Sequence, residues 1–185
     1  MNEITPVTSG SGAIDPDGQA AKRILVAAVG NQWLQDDGFG PAVAKVLLGQ
    51  EMPKGVTVID FGTGGLNLAY EVMAGYDALL LLDITRGGHE PGTLYTIEPD
   101  EEEVDRQIAE GGTLDLHGMD PNSVLRFVKQ VSGSLPPRVV VIACEPELVV
   151  EQVDEMDMGL SETVQSAVGR AVVLTHETIA EILAE

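Results

Sequence analysis

Four short apolar runs, each closed by glycine or a polar residue, constrain this chain more than any other feature. Arg23–Val29 stops at Gly30-Asn31, Val56–Phe61 at Gly62-Thr63-Gly64-Gly65, and Arg138–Cys144 at Glu145-Pro146-Glu147, while Ala78–Ile84 carries an aspartate, Asp83, next to its end. Runs of this length with this punctuation read as buried strands, and the unbroken apolarity of Ala78–Leu82 requires cover on both faces. Helical spacing appears between them. Phe39, Val43, Val46 and Leu47 recur over Gly38–Leu48, with Pro41 in the first turn, where its missing N–H costs nothing. Leu66–Met73 repeats the pattern. Strand, helix, strand, helix, strand is the signature of a parallel sheet with crossover helices. The expectation is one α/β domain of three layers: a twisted, mostly parallel sheet with helices on both faces.

The remainder is less regular. Gly92–Ile97 alternates like an edge strand, and Glu98–Glu110 is dense enough in charge to read as a solvated insertion. Pro121–Val131 reads as a helix with Asp120 placed to cap it. Gly159–Leu183 reads as a long helical finish with Ser161 as N-cap. Residues 1–21, rich in Ser, Gly, Pro and Asp, read as a flexible tail before a domain spanning 22–185. The tail has neither a basic start nor an apolar core, so it is not a signal peptide.

The chain has 185 residues and a formal charge of -20, which argues against nucleic acid and against anionic membrane surfaces. No apolar run approaches the roughly 20 residues that span a bilayer. Cys144 is the single cysteine, so no internal disulfide can form, and a reducing cytoplasm is the simplest location.

In open parallel sheets, ligands bind beyond the carboxyl ends of the strands. That geometry gathers Asn31, Asp36, Asp37, Thr63 with its glycines, Asp83, Cys144 and Glu145 on one rim. The loop carrying His117 leads toward the same rim without being forced onto it. Asp83 follows five apolar residues, where a carboxylate is costly to desolvate without a partner. A side chain that faces solvent or caps the next turn is the other reading. Asp36 and Asp37 precede a helix, where acids favour the N-terminus, so either could be structural. His117 taken alone is more often structural than a ligand, and His89 and His176 read as surface residues. Together Asp37, Asp83 and His117 form an oxygen and nitrogen set suited to nickel or zinc. There is neither a G-x-G-x-x-G fingerprint nor a P-loop. Cys144, at the end of a buried strand, reads as inert packing.

These motifs, taken in order, resemble the maturation endopeptidases of nickel–iron hydrogenases. The likeness rests on Ile24-Leu25-Val26 leading to Gly30-Asn31, Leu34–Gly40, Asp60–Gly65, Leu81–Ile84, Pro91-Gly92-Thr93, His117-Gly118-Met119, Cys144-Glu145-Pro146 and Gly159-Leu160-Ser161. It implies a protease that removes a C-terminal extension from the hydrogenase large-subunit precursor after nickel loading. Asp37, Asp83 and His117 match the family's metal-contacting and catalytic residues. Gly62, Thr63, Gly64 and Gly65, after Asn31, match a turn that takes part in substrate recognition. The nickel is implied to arrive with the precursor, with zinc or cadmium as its substitutes in vitro. Phe61 stands where glycine is frequent. A non-catalytic metal-binding scaffold and a module binding a small anion at the same rim are the rival readings.

Overall fold

The computed structural model describes residues 21–109, 121–148 and 158–185. Its strands are β1 (Ile24–Val29), β2 (Val56–Gly62), β3 (Ala78–Ile84), β4 (Leu94–Ile97) and β5 (Arg138–Cys144). Its helices are α1 (Phe39–Leu47), α2 (Gly65–Val72), α3 (Glu101–Ala109), α4 (Pro121–Ser132) and α5 (Glu162–Ala184), with a 3-10 turn at Gln35–Gly38 ahead of α1. The sheet runs β2-β1-β3-β5-β4. The first four strands in that order are parallel, and β4 is antiparallel to β5 at the edge. This is the expected mostly parallel α/β architecture.

The period-2 alternation of side chains splits each inner strand between two cores. Ile24, Val26, Ala28, Leu80 and Leu82 pack on one face with Phe39 and Val43 of α1 and with Val164, Val168 and Ile179 of α5. Leu25, Ala27, Leu79 and Leu81 pack on the other with Leu68 and Val72 of α2 and with Val124 and Leu125 of α4. Burial of β1 and β3 on both faces is what their unbroken apolar sequences required. With few aromatic side chains available, Leu, Ile and Val fill most of this space.

Two expectations need adjusting. The charged stretch after β4 is solvated but contains a helix, α3. Glu101, Glu102 and Glu103 occupy its first turn, where the helix dipole favours negative charge. Val104 is buried, and Lys129 of α4 reaches Glu101 at 2.8 Å and Asp105 at 2.7 Å. The second adjustment concerns the acids ahead of α1. Its N-cap is Gly38, with no side-chain cap, so neither Asp36 nor Asp37 plays that part. Ser161 does cap α5, accepting the Val164 N–H at 3.3 Å. The tail expected over residues 1–21, apart from its last residue, lies outside the described residues, as does Asp120.

Candidate active site

The topology alone singles out one place on the rim. The connection from β1 to β2 runs through α1 on one face, and the connection from β2 to β3 runs through α2 on the other. The carboxyl ends of β1 and β3 therefore flank the point where consecutive connections diverge, the usual ligand crevice of such sheets. Asp37 follows β1, and Asp83 is the penultimate residue of β3.

The 3-10 turn carrying Asp36 and Asp37 lies against β3. Gly40, just beyond it, has the carbonyls of Val29 and Leu82 where a Cβ would stand, so α1 starts flush against both strand ends. Gly30 takes φ +127, and a Cβ there would collide with the Asp37 carbonyl. The two neighbouring acids then divide their work. Asp36 is fully buried. Its carboxylate accepts the backbone N–H groups of Glu147 (2.9 Å), Leu148 (2.7 Å) and Ser161 (2.7 Å), and the Ser161 hydroxyl at 3.0 Å. Asp37 is half-buried, and its carboxylate accepts the Asn31 N–H at 2.7 Å. Burial pushes its carboxyl above the ordinary carboxylate range, and the Asn31 hydrogen bond opposes that shift.

Asp83 is 1 % exposed, which rules out the solvent-facing reading, and its Oδ1 accepts the N–H of Ile84 at 2.7 Å. By strand alternation it shares the face of Leu79 and Leu81, the side covered by α2 and α4. His117 lies outside the described residues. Among the described residues no group of three His, Cys, Asp or Glu side chains is placed to hold a metal ion.

The turn after β5 carries a third buried carboxylate. Glu145 is 6 % exposed and accepts the N–H groups of Gly87 (2.8 Å), Gly88 (3.3 Å) and His89 (3.4 Å), together with the Tyr95 hydroxyl. Desolvation works against its charge, but these donors outweigh it and hold the carboxyl below the usual range. Nothing in the sequence pairs Gly87 and Gly88 with an acid more than fifty positions away. His89 is exposed, with Nδ1 3.1 Å from the Tyr95 hydroxyl, and His176 pairs with Gln50 at 2.7 Å. Cys144 is fully buried, and desolvation first, then the nearby Asp36 charge, push its thiol up to about 11. A thiol so placed is no nucleophile at neutral pH.

Gly62-Thr63-Gly64-Gly65 forms a turn between β2 and α2. The Gly30 N–H donates to the Gly62 carbonyl at 3.0 Å, so the turns after β1 and β2 touch through their backbones. Ladder pairing jumps from Ala28 opposite Asp60 to Val29 opposite Gly62, which leaves Phe61 as a bulge. Phe61 is half-buried against the α2–α4 core, so the turn accommodates a large residue at this position. A cleft of about 280 Å³ opens between the two turns, lined by Asn31, Trp33, Pro41, Asp60, Phe61 and Thr63, among others.

The model of the hydrogenase maturation protease family matches residues 41–178. The chain belongs to that family. The protease is 30% identical over 161 residues to the coenzyme F420 hydrogenase subunit delta of Methanothermobacter thermautotrophicus, covering 84% of this chain and 94% of that one. Its fold superposes with a TM-score of 0.63 on the hydrogenase 2 maturation peptidase of a Thaumarchaeota archaeon, at 32% identity over 85% of this chain and 98% of that one. It also superposes on the hydrogenase maturating endopeptidase HybD of Escherichia coli with a TM-score of 0.66, at 26% identity, covering 86% and 93% of the two chains. Family membership makes the protein a peptidase and displaces both the scaffold and the anion-module readings. No helix among the described residues is long and apolar enough to cross a membrane.

Proposed function

We propose that this protease removes the C-terminal extension of a nickel-loaded hydrogenase large-subunit precursor in the cytoplasm, and that it recognises the nickel as part of the substrate. The observation that carries the reading is the placement of Asp37 just after β1 and of Asp83 at the end of β3, the two strands that flank the switch point. Two oxygen donors there, with the His117 imidazole as a third ligand, have the chemistry for nickel, or for zinc or cadmium in vitro. Docking on the metal would bring the scissile peptide to the rim, so the check for nickel and the positioning of the bond become one event. In this reading the attacking water is activated either by one of these carboxylates as general base, as an aspartic-type endopeptidase requires, or by the metal that polarises it. Asn31 and the Gly62–Gly65 turn, which bound the adjoining cleft, are assigned to holding the peptide.

The test is cleavage of purified precursor, with and without nickel, followed by mass spectrometry of the tail. Wild-type protein should release the extension only from nickel-loaded precursor, and Asp37→Ala, Asp83→Ala and His117→Ala should each abolish release. Equal cutting of nickel-free precursor would remove nickel recognition from the reading. Full cutting by all three variants would remove the site.

A further inference from the structure

Two carboxylates described above, those of Asp36 and Glu145, belong to neither the proposed metal set nor the cleft walls assigned to the peptide. Both are almost fully buried, and both are bound to one short turn. Glu145 opens that turn and reaches across to the amides of Gly87, Gly88 and His89. Glu147 and Leu148 close it and donate their amides to Asp36. The backbone joins in: Asp36 N–H donates to the Leu148 carbonyl at 3.2 Å, Thr85 N–H to the Cys144 carbonyl at 3.0 Å, and Gly92 N–H to the Glu145 carbonyl at 2.8 Å. At one end the turn grips the residue before Asp37. At the other it grips the loop that begins immediately after β3, the strand ending in Asp83-Ile84.

We propose that the Glu145–Leu148 turn is a brace that fixes Asp37 and Asp83 relative to each other, with Asp36 and Glu145 as its two positioning residues. Three features of the geometry support this. Gln35, next to Asp36, is held at φ +52, a left-handed conformation that persists in a residue with a side chain only when its surroundings over-determine it. Asp36 also receives the first amide and the hydroxyl of the N-cap Ser161, so α5, a 23-residue helix, anchors the same point. On the other side, Gly87 packs closely on Tyr95, where a Cβ would stand 2.5 Å from the hydroxyl, and that hydroxyl is itself bonded to Glu145. The assignment rests on Asp37 and Asp83 being the pair proposed above to contact the metal, but the brace itself can be tested without substrate.

The experiment compares Asp36→Asn, Glu145→Gln and the double variant by backbone amide NMR and by cleavage kinetics. Asn31 reports the Asp37 carboxylate, and its hydrogen bonds run to Asp37, Trp33 and Leu34, at the other end of the brace from Glu145. With a brace, Glu145→Gln moves the Asn31 amide resonance, and Asp36→Asn moves those of Gly87 and Gly88. Each single variant lowers kcat about ten- to a hundredfold with KM little changed, as expected when reacting groups are misplaced by about 1 Å. The double variant loses less than the product of the two, because both act through one turn. Resonance changes confined to each variant's own partners, with losses that multiply, would overturn the proposal. If a variant fails to fold, Ser161→Ala and Tyr95→Phe each remove one hydroxyl bond to a brace carboxylate, together with that hydroxyl's second contact, to the Val164 N–H or to His89 Nδ1, and should give the same cross-shifts at smaller size. Absence of those shifts counts equally against the brace. Should the wild-type protein fail to cut the precursor, the functional assignment falls while the resonances still decide the brace.

Discussion

Gly40 stands against the carbonyl of Leu82, with no room between them for a methyl group: a Cβ at position 40 would lie 2.5 Å from that oxygen. The contact sets the first turn of α1 against the end of β3, one residue before Asp83. Gly40→Ala should therefore push α1 off both strand ends and destabilise the fold by about 1–3 kcal/mol, the usual cost of overpacking. Urea unfolding followed by circular dichroism measures the loss, and cleavage should fall further than the lost folded fraction explains.

The carboxyl of Asp37 offers a prediction whose sign is fixed by burial. Its folded value is raised, so between the ordinary carboxylate range and that raised value the folded state binds more protons than the unfolded state. Stability consequently falls as pH rises through this window, and the deficit stays constant above it. Asp37→Asn should be more stable than wild type at neutral pH, with the advantage vanishing below the ordinary carboxylate range, while cleavage is lost. Thermal melts from pH 3 to 8 with a chelator present check both directions, and an unchanged pH profile would contradict the burial argument.

Cys144 should prove dispensable for the chemistry. Its sulfur is buried and its thiol raised to about 11, so a thiol reagent should label the denatured protein fully and the native protein hardly at all. Cys144→Ala should retain cleavage and cost roughly 1 kcal/mol for the vacated volume. Loss of cleavage in a folded variant would return the thiol to the mechanism.

Phe61 gives a prediction about the cleft. Phe61→Gly removes a ring that packs on the α2–α4 core and lines the opening beside Asn31. Stability should drop by about 3 kcal/mol, within the range for large-to-small core changes, and KM should change more than kcat. Steady-state kinetics on the nickel-loaded precursor separates the two.

The architecture was readable because its strands are nearly pure apolar runs. Leu79 to Leu82 leave no polar face to present to water, so helices on both sides were required. Asp83 stood out for the same reason, since a carboxylate after such a run is costly to desolvate without a partner, but only its burial in the fold decides against a side chain facing solvent. The division of labour between Asp36 and Asp37 was not. It depends on Glu147, Leu148 and Ser161, which lie 111 to 125 positions further along the chain. Local sequence signals helix capping for both acids, and tertiary hydrogen bonds override it. The Glu145 contacts were hidden likewise, and the helix within the charged stretch after β4 was masked by its low apolar content. Of the three residues the resemblance assigns to the metal, two are placed by the fold at the switch point, and His117 lies outside the described residues.

β3 is bordered on both sides, by β1 and by β5, with ladders along most of its length. Local fraying cannot release Leu81 or Leu82, because two neighbours would have to part at once. The amides of Leu81 and Leu82 belong with the slowest-exchanging hydrogens of the protein, those that open only when the whole chain does. Heat inactivation and melting would then share one midpoint, leaving no temperature at which a folded enzyme is idle.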